Sequence, residues 1–108
     1  MKLWSRGAVA ALAMLPGAAG AVELGNPASG HDYANKVCAG CHAVEKGENI
    51  SPTVDVPSFQ AVADTQGMSA RALVVWLQSP HPNMPDLIIR PDDMDNVIAY
   101  ILSLRSPQ

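Results

Sequence analysis

Hydrophobic residues fall along this chain in three distinct ways. Residues 7–15 form an apolar run of alanine, valine, leucine and methionine that begins at Gly7. Residues 43–56 mix apolar and polar positions without a period, punctuated by Gly47, Asn49, Ser51 and Pro52, and read as a loop. Elsewhere the apolar positions recur at helical spacing. Residues 29–37 predict a short helix with Ser29 as its N-cap, and residues 58–63 one or two helical turns. After a turn at Asp64-Thr65-Gln66-Gly67, Ser69 can cap a helix over residues 70–78, with Leu73, Trp76 and Leu77 as its buried stripe. Pro80, Pro82 and Pro85 then exclude regular structure from residues 79–90. A last helix is predicted from Pro91 to about Leu104. Pro91 suits the first helical position, and Asp92 and Asp93 suit the positive end of the dipole. Met94, Val97, Ile98, Ile101 and Leu104 supply its inward face. No strand-and-turn pattern occurs, so the fold class is all-α.

The first apolar run is too short to span a bilayer, which takes roughly 20 residues. Lys2 and Arg6 precede it, Pro16-Gly17 breaks it, and Ala19-Gly20-Ala21 offers a small-x-small cleavage site. Residues 1–21 therefore read as a secretory signal peptide, cut after Ala21 or Ala19 and directing the chain to the periplasm. The remaining residues 22–108 make one domain near the lower size limit for a self-sufficient core. Cleavage also changes the charge. The full chain carries a formal −3, and losing Lys2 and Arg6 leaves five Lys/Arg against ten Asp/Glu, a formal −5. That balance argues against nucleic acid and anionic membranes as partners, and no membrane anchor is expected.

The chemistry concentrates in Cys38-Ala39-Gly40-Cys41-His42, a C-x-x-C-H sequence. Two thiols at this spacing can add across the vinyl groups of one porphyrin, and the following imidazole can then reach the iron. A disulfide, a zinc site or a thioredoxin-type pair is the competing reading. Zinc needs further soft ligands that two cysteines do not supply, and the redox pair needs a βαβ setting. His42 is the expected proximal iron ligand, with one covalent haem c per chain. A haem also supplies the apolar body around which so short a chain can fold. Beyond residues 1–21 the methionines are Met68, Met84 and Met94. Met94 belongs to the last helix's inward stripe and Met68 precedes a helix cap. Met84 alone stands in a loop where no helix dictates its direction, between Asn83 and Pro85. His81 is its rival as sixth ligand, restrained by Pro80 and Pro82, while His31 reads as a polar surface residue.

A helix running into C-x-x-C-H, then Met-Pro in a proline-rich loop, then a terminal amphipathic helix: this order resembles the small bacterial class I c-type cytochromes over residues 30–104. The resemblance implies a cytochrome c fold, with N- and C-terminal helices crossing and short helices and loops around a covalent haem. Gly30 would permit the crossing, and Tyr100 in Val97-Ile98-Ala99-Tyr100 would be its aromatic. Ala34 stands where relatives carry a larger aromatic, so closer packing is expected, with Tyr33 or Tyr100 filling the gap. Val56-Pro57-Ser58-Phe59 is similar to a Gly-Pro segment whose proline carbonyl accepts from the proximal imidazole, a part that falls to Pro57 here. Met84 takes the place of the family's distal ligand. Trp76, read from its pattern as a core residue, takes the place of an indole that donates to a haem propionate.

With His42 and Met84 both on the iron, no coordination site remains for a substrate. The resemblance therefore implies an electron carrier rather than an enzyme: a soluble monomer exchanging single electrons with periplasmic redox proteins at the haem edge near Cys38 and Cys41. Two alternatives stay open: a dedicated cytochrome subunit of a dehydrogenase or oxidase complex, and an open-site haem protein that binds a small ligand.

Overall fold

The computed structural model describes residues 7–14 and 25–107. The expected signal peptide lies largely outside the described residues, and its described part, residues 7–14, is exposed and without regular structure. Four helices follow: α1 (Pro27–Val37), α2 (Phe59–Asp64), α3 (Ala70–Gln78) and α4 (Pro91–Ser103). Among the described residues there is no strand beyond a single bridge pair, His81 with Met84, and no helix long and apolar enough to cross a membrane. The all-α expectation holds.

Capping residues set most helix starts. Ser58 and Ser69 each accept a backbone N–H from three residues on, Ala61 and Ala72, which starts α2 and α3. α1 begins earlier than Ser29. Asn26 is its cap, its side chain accepting from the N–H groups of Ala28 and Ser29, with Pro27 at the first helical position. The same residue's backbone N–H donates to Asn96 Oδ1 at 2.7 Å, so the cap of α1 is fastened to α4. α4 starts at Pro91 without a side-chain cap, its first turn carrying Asp92 and Asp93.

The core is the crossing of α1 and α4, with α2 and α3 laid against α4. α1 is polar over most of its surface and buries only Gly30 and Ala34. These two small residues bring the backbones together. A methyl group placed on Gly30 would lie 1.9 Å from the Asn96 carbonyl oxygen and 2.8 Å from Tyr100 Cβ. Gly25, at φ +97°, makes a similar approach to the Asp95 carbonyl. Tyr100 is buried beside the crossing and stacks at a tilt on His31, ring centroids 4.9 Å apart. Tyr100 and Ala34 belong to the same core cluster, with Tyr33 packed against it. α4 contributes Met94, Val97, Ile98, Ile101 and Leu104 to the core, the full expected stripe.

α3 departs from its predicted stripe. Leu73 is buried, with Ala70, Val74 and Leu77 packed against the core beside it, but Trp76 is 55 % exposed. The row at i, i+3, i+4 and i+7 through 70, 73, 74 and 77 faces α4, and that leaves Trp76 turned toward the following loop. Near the C-terminus, Gln60 is buried and fully engaged. Its amide donates to Asp64 and to the Leu104 carbonyl, and its carbonyl accepts from the Gly47 N–H.

Two outcomes follow for stability. Gly30→Ala forces α1 off the α4 backbone, and we expect a loss of at least about 2 kcal/mol in denaturant unfolding. Asp64 is held below the usual carboxylate range by the Ser106 backbone N–H, then by Gln60 and the Ser106 hydroxyl. The folded chain thus favours the ionised form. The tail contact is intact above the unfolded Asp pKa of about 3.9 and is lost as pH falls through the lower folded value. The amide shift of Ser106 should report that acid transition by NMR, and Asp64→Asn should abolish its pH dependence.

Candidate haem site

The sequence turns at the end of α1. Cys38 caps the helix, its N–H donating to the Ala34 carbonyl, and its own carbonyl accepts from the N–H groups of Cys41 and His42. One tight turn therefore gathers both thiols and the imidazole. Neither cysteine is in a disulfide. Their surroundings differ: Cys41 is exposed, while burial against the core pushes the Cys38 thiol up to about 11.

His42 is fixed by a residue distant in sequence. Its Nδ1 lies 2.7 Å from the Pro57 carbonyl, which can only accept, so Nδ1 carries the proton. In the neutral ring this leaves Nε2 with its lone pair available. The Phe59 ring flanks the imidazole, centroids 5.3 Å apart. The long loop is folded back to make this contact. The Phe59 N–H donates to the Ala43 carbonyl at 2.9 Å, and Ser51 Oγ accepts from the Ala43 N–H at 3.1 Å. The next link comes from α4, where the Tyr100 hydroxyl donates to the Val44 carbonyl at 2.6 Å. Val56 stands where the resembled segment has glycine, and the backbone shows why it is tolerated. The left-handed residues of this loop are Gly47, at φ +79°, and Asp55, at φ +63°, so Val56 needs no unusual conformation.

A second cluster forms in the proline-rich loop. His81-Pro82-Asn83-Met84 closes a β-turn, with the Met84 N–H donating to the His81 carbonyl at 3.3 Å. Proline in the second place and Asn83 at φ +64° in the third fit a type II turn. The turn sets His81 and Met84 opposite each other as a bridge pair, with His81 Nε2 2.8 Å from Met84 Sδ. His81 Nδ1 donates to the Ser79 carbonyl at 2.8 Å. The ring meets Trp76 edge-on, centroids 5.5 Å apart, and a cavity of about 140 Å³ opens between Leu77, His81, Met84 and Leu87.

The predicted site residues thus fall into two groups. Cys38, Cys41, His42 and Pro57 converge on one, and Trp76 and Met84 on the other, which also holds His81. Sequence reasoning missed the pairing of His81 with Met84, for which Pro-Asn in the middle of the turn was the available signal. It also missed the Tyr100 tether, which no local pattern announces. This donor set fits a haem: two unpaired thiols, an imidazole with a free Nε2, a thioether, and apolar surface on Trp76 and Val75 left exposed. Among the described residues no group of three His, Cys, Asp or Glu side chains is placed to hold a metal ion unaided.

Comparison with known proteins agrees. The family described as Cytochrome c matches residues 27–105. The chain is 35 % identical over 105 residues to "Cytochrome c-552" of Bradyrhizobium diazoefficiens, covering 97 % of this chain and 99 % of that relative. No solved structure matches the chain.

The Tyr100 tether can be tested directly. Tyr100→Phe leaves the Val44 carbonyl without its donor, and we expect a loss of about 1–2 kcal/mol in thermal unfolding. Faster amide exchange in residues 43–57 should accompany it.

Proposed function

The chain belongs to the cytochrome c family and so is an electron-carrying c-type cytochrome with covalent haem c; from that premise we propose which residues hold the group and where the protein works. Cys38 and Cys41 form the two thioethers. His42 is the proximal ligand, oriented by the Pro57 carbonyl, and Met84 is the distal ligand. The observation that carries this reading is the His42 imidazole, whose Nδ1 is committed to Pro57 at 2.7 Å immediately beside two unpaired thiols. That bond fixes the tautomer, prevents rotation of the ring and raises the basicity of Nε2.

When bound, haem c supplies one-electron exchange between the ferrous and ferric states. The chain's residues set the terms of that exchange. A thioether from Met84 favours the ferrous state relative to a second imidazole. Two protein ligands close both faces to substrates, which favours a carrier over an open-site protein. Trp76 is 55 % exposed, and its indole N–H is the donor for a propionate. The basic start, the apolar run and Ala19-Gly20-Ala21 support export of residues 22–108 to the periplasm after removal of residues 1–21. There the exposed edge beside Cys41 meets soluble redox partners, and the formal −5 of the exported chain favours basic or neutral faces on them.

Optical spectroscopy of the ferric holoprotein tests the ligand set. The near-infrared charge-transfer band of methionine-ligated iron should be present, and Met84→Ala should abolish it. A band that survives the substitution overturns the assignment of Met84.

A further inference from the structure

His81 has no part in that reading, yet it is equipped as a metal ligand in the same manner as His42. Each imidazole commits Nδ1 to a backbone carbonyl, His42 to Pro57 at 2.7 Å and His81 to Ser79 at 2.8 Å. A carbonyl has no proton to give, so both rings are held as the tautomer whose Nε2 presents a lone pair. Ligating histidines are normally supported through their second nitrogen in this way. The His81 lone pair is not directed to solvent at random. It lies 2.8 Å from Met84 Sδ, within hydrogen-bond distance of the thioether. Two ligand atoms held this close can be offered in turn to a single electrophile.

The backbone holds the pair together. The His81-Pro82-Asn83-Met84 turn closes with one hydrogen bond at 3.3 Å and a left-handed Asn83, and Pro82 fixes one further dihedral. Trp76 packs at right angles to the His81 ring, centroids 5.5 Å apart. We propose that His81 is a second distal donor for the haem iron, kept beside Met84 by this turn so that its Nε2 takes the coordination position whenever the thioether leaves it. The inference rests on Met84 being the distal ligand of the resting protein. Its consequence is a site that stays closed to outside ligands when Met84 is displaced. The potential then falls, because imidazole favours ferric iron more than a thioether does.

The test compares native holoprotein, Met84→Ala and Met84→Ala/His81→Asn, with carbon monoxide as the probe. Met84→Ala should lose the near-infrared band but keep a low-spin ferric spectrum and bind carbon monoxide slowly after reduction. The double variant should turn high-spin and bind it rapidly. If Met84→Ala is already high-spin and reacts as fast as the double variant, His81 is no ligand and the inference is overturned. A double variant that stays low-spin overturns it equally, because His31, Lys36 or Lys46 then supplies the donor. Native protein without the band overturns the Met84 reading and this one with it, so the two failures are distinguishable. Should Met84→Ala fail to fold, warming the Met84-containing chains below the loss of helical signal gives the same comparison. Native protein should pass from the banded to a band-free low-spin form, and His81→Asn to a high-spin one. Identical spectra for the two overturn the inference.

Discussion

At the crossing of α1 and α4 there is no room for a single methyl group. The Asn96 carbonyl occupies the place where a side chain on Gly30 would begin. That contact is backbone against backbone, so neither helix can relieve a clash by changing a rotamer. Its consequences reach the haem site in both directions along the chain. One turn beyond Gly30 and Ala34, α1 ends in Cys38 and the turn that carries Cys41 and His42. On α4, Tyr100 emerges from the same crossing and fastens the Val44 carbonyl, two residues past His42. A small helix with almost no apolar surface of its own thus fixes the position of the attachment sequence by proximity rather than by area buried.

How much of this was legible depended on whether the information was local. Ser69 sits immediately before its apolar period and α3 begins where predicted, while α2, expected over residues 58–63, begins one residue later with Ser58 as its cap. The start of α1 was missed because Asn26-Pro27 lies in a stretch with no apolar period to anchor it. Trp76 was expected on one stripe with Leu73 and Leu77, packed against the haem; it is 55 % exposed beside His81, because helical periodicity states which positions share a face, not which of two neighbouring faces meets the protein. The match to the attachment motif needed no structure. The Tyr100–Val44 and Gln60–Leu104 bonds, spanning 56 and 44 residues, could not be read from a single sequence at all.

The two sides of the site are built by different means. His42 depends on contacts between distant segments: Pro57 fifteen residues away, Phe59 beside it, and a loop returned to Ala43. Moving that imidazole means unfolding part of the core. Residues 80–89, among those described, make hydrogen bonds only to partners within three positions, Ser79, His81 and Met84. Their geometry comes from three prolines and one left-handed asparagine, and little of it is secured to the helices. A segment so held opens at a lower free energy than the core it flanks. Exchange of ligands, where it occurs, therefore belongs to the Met84 face. The same locality that lets the turn move also keeps its internal arrangement intact as it moves, so His81 travels with Met84. On the ligand set proposed above, a rigid proximal side and a self-contained distal turn would together allow the iron to change one ligand without losing the fold.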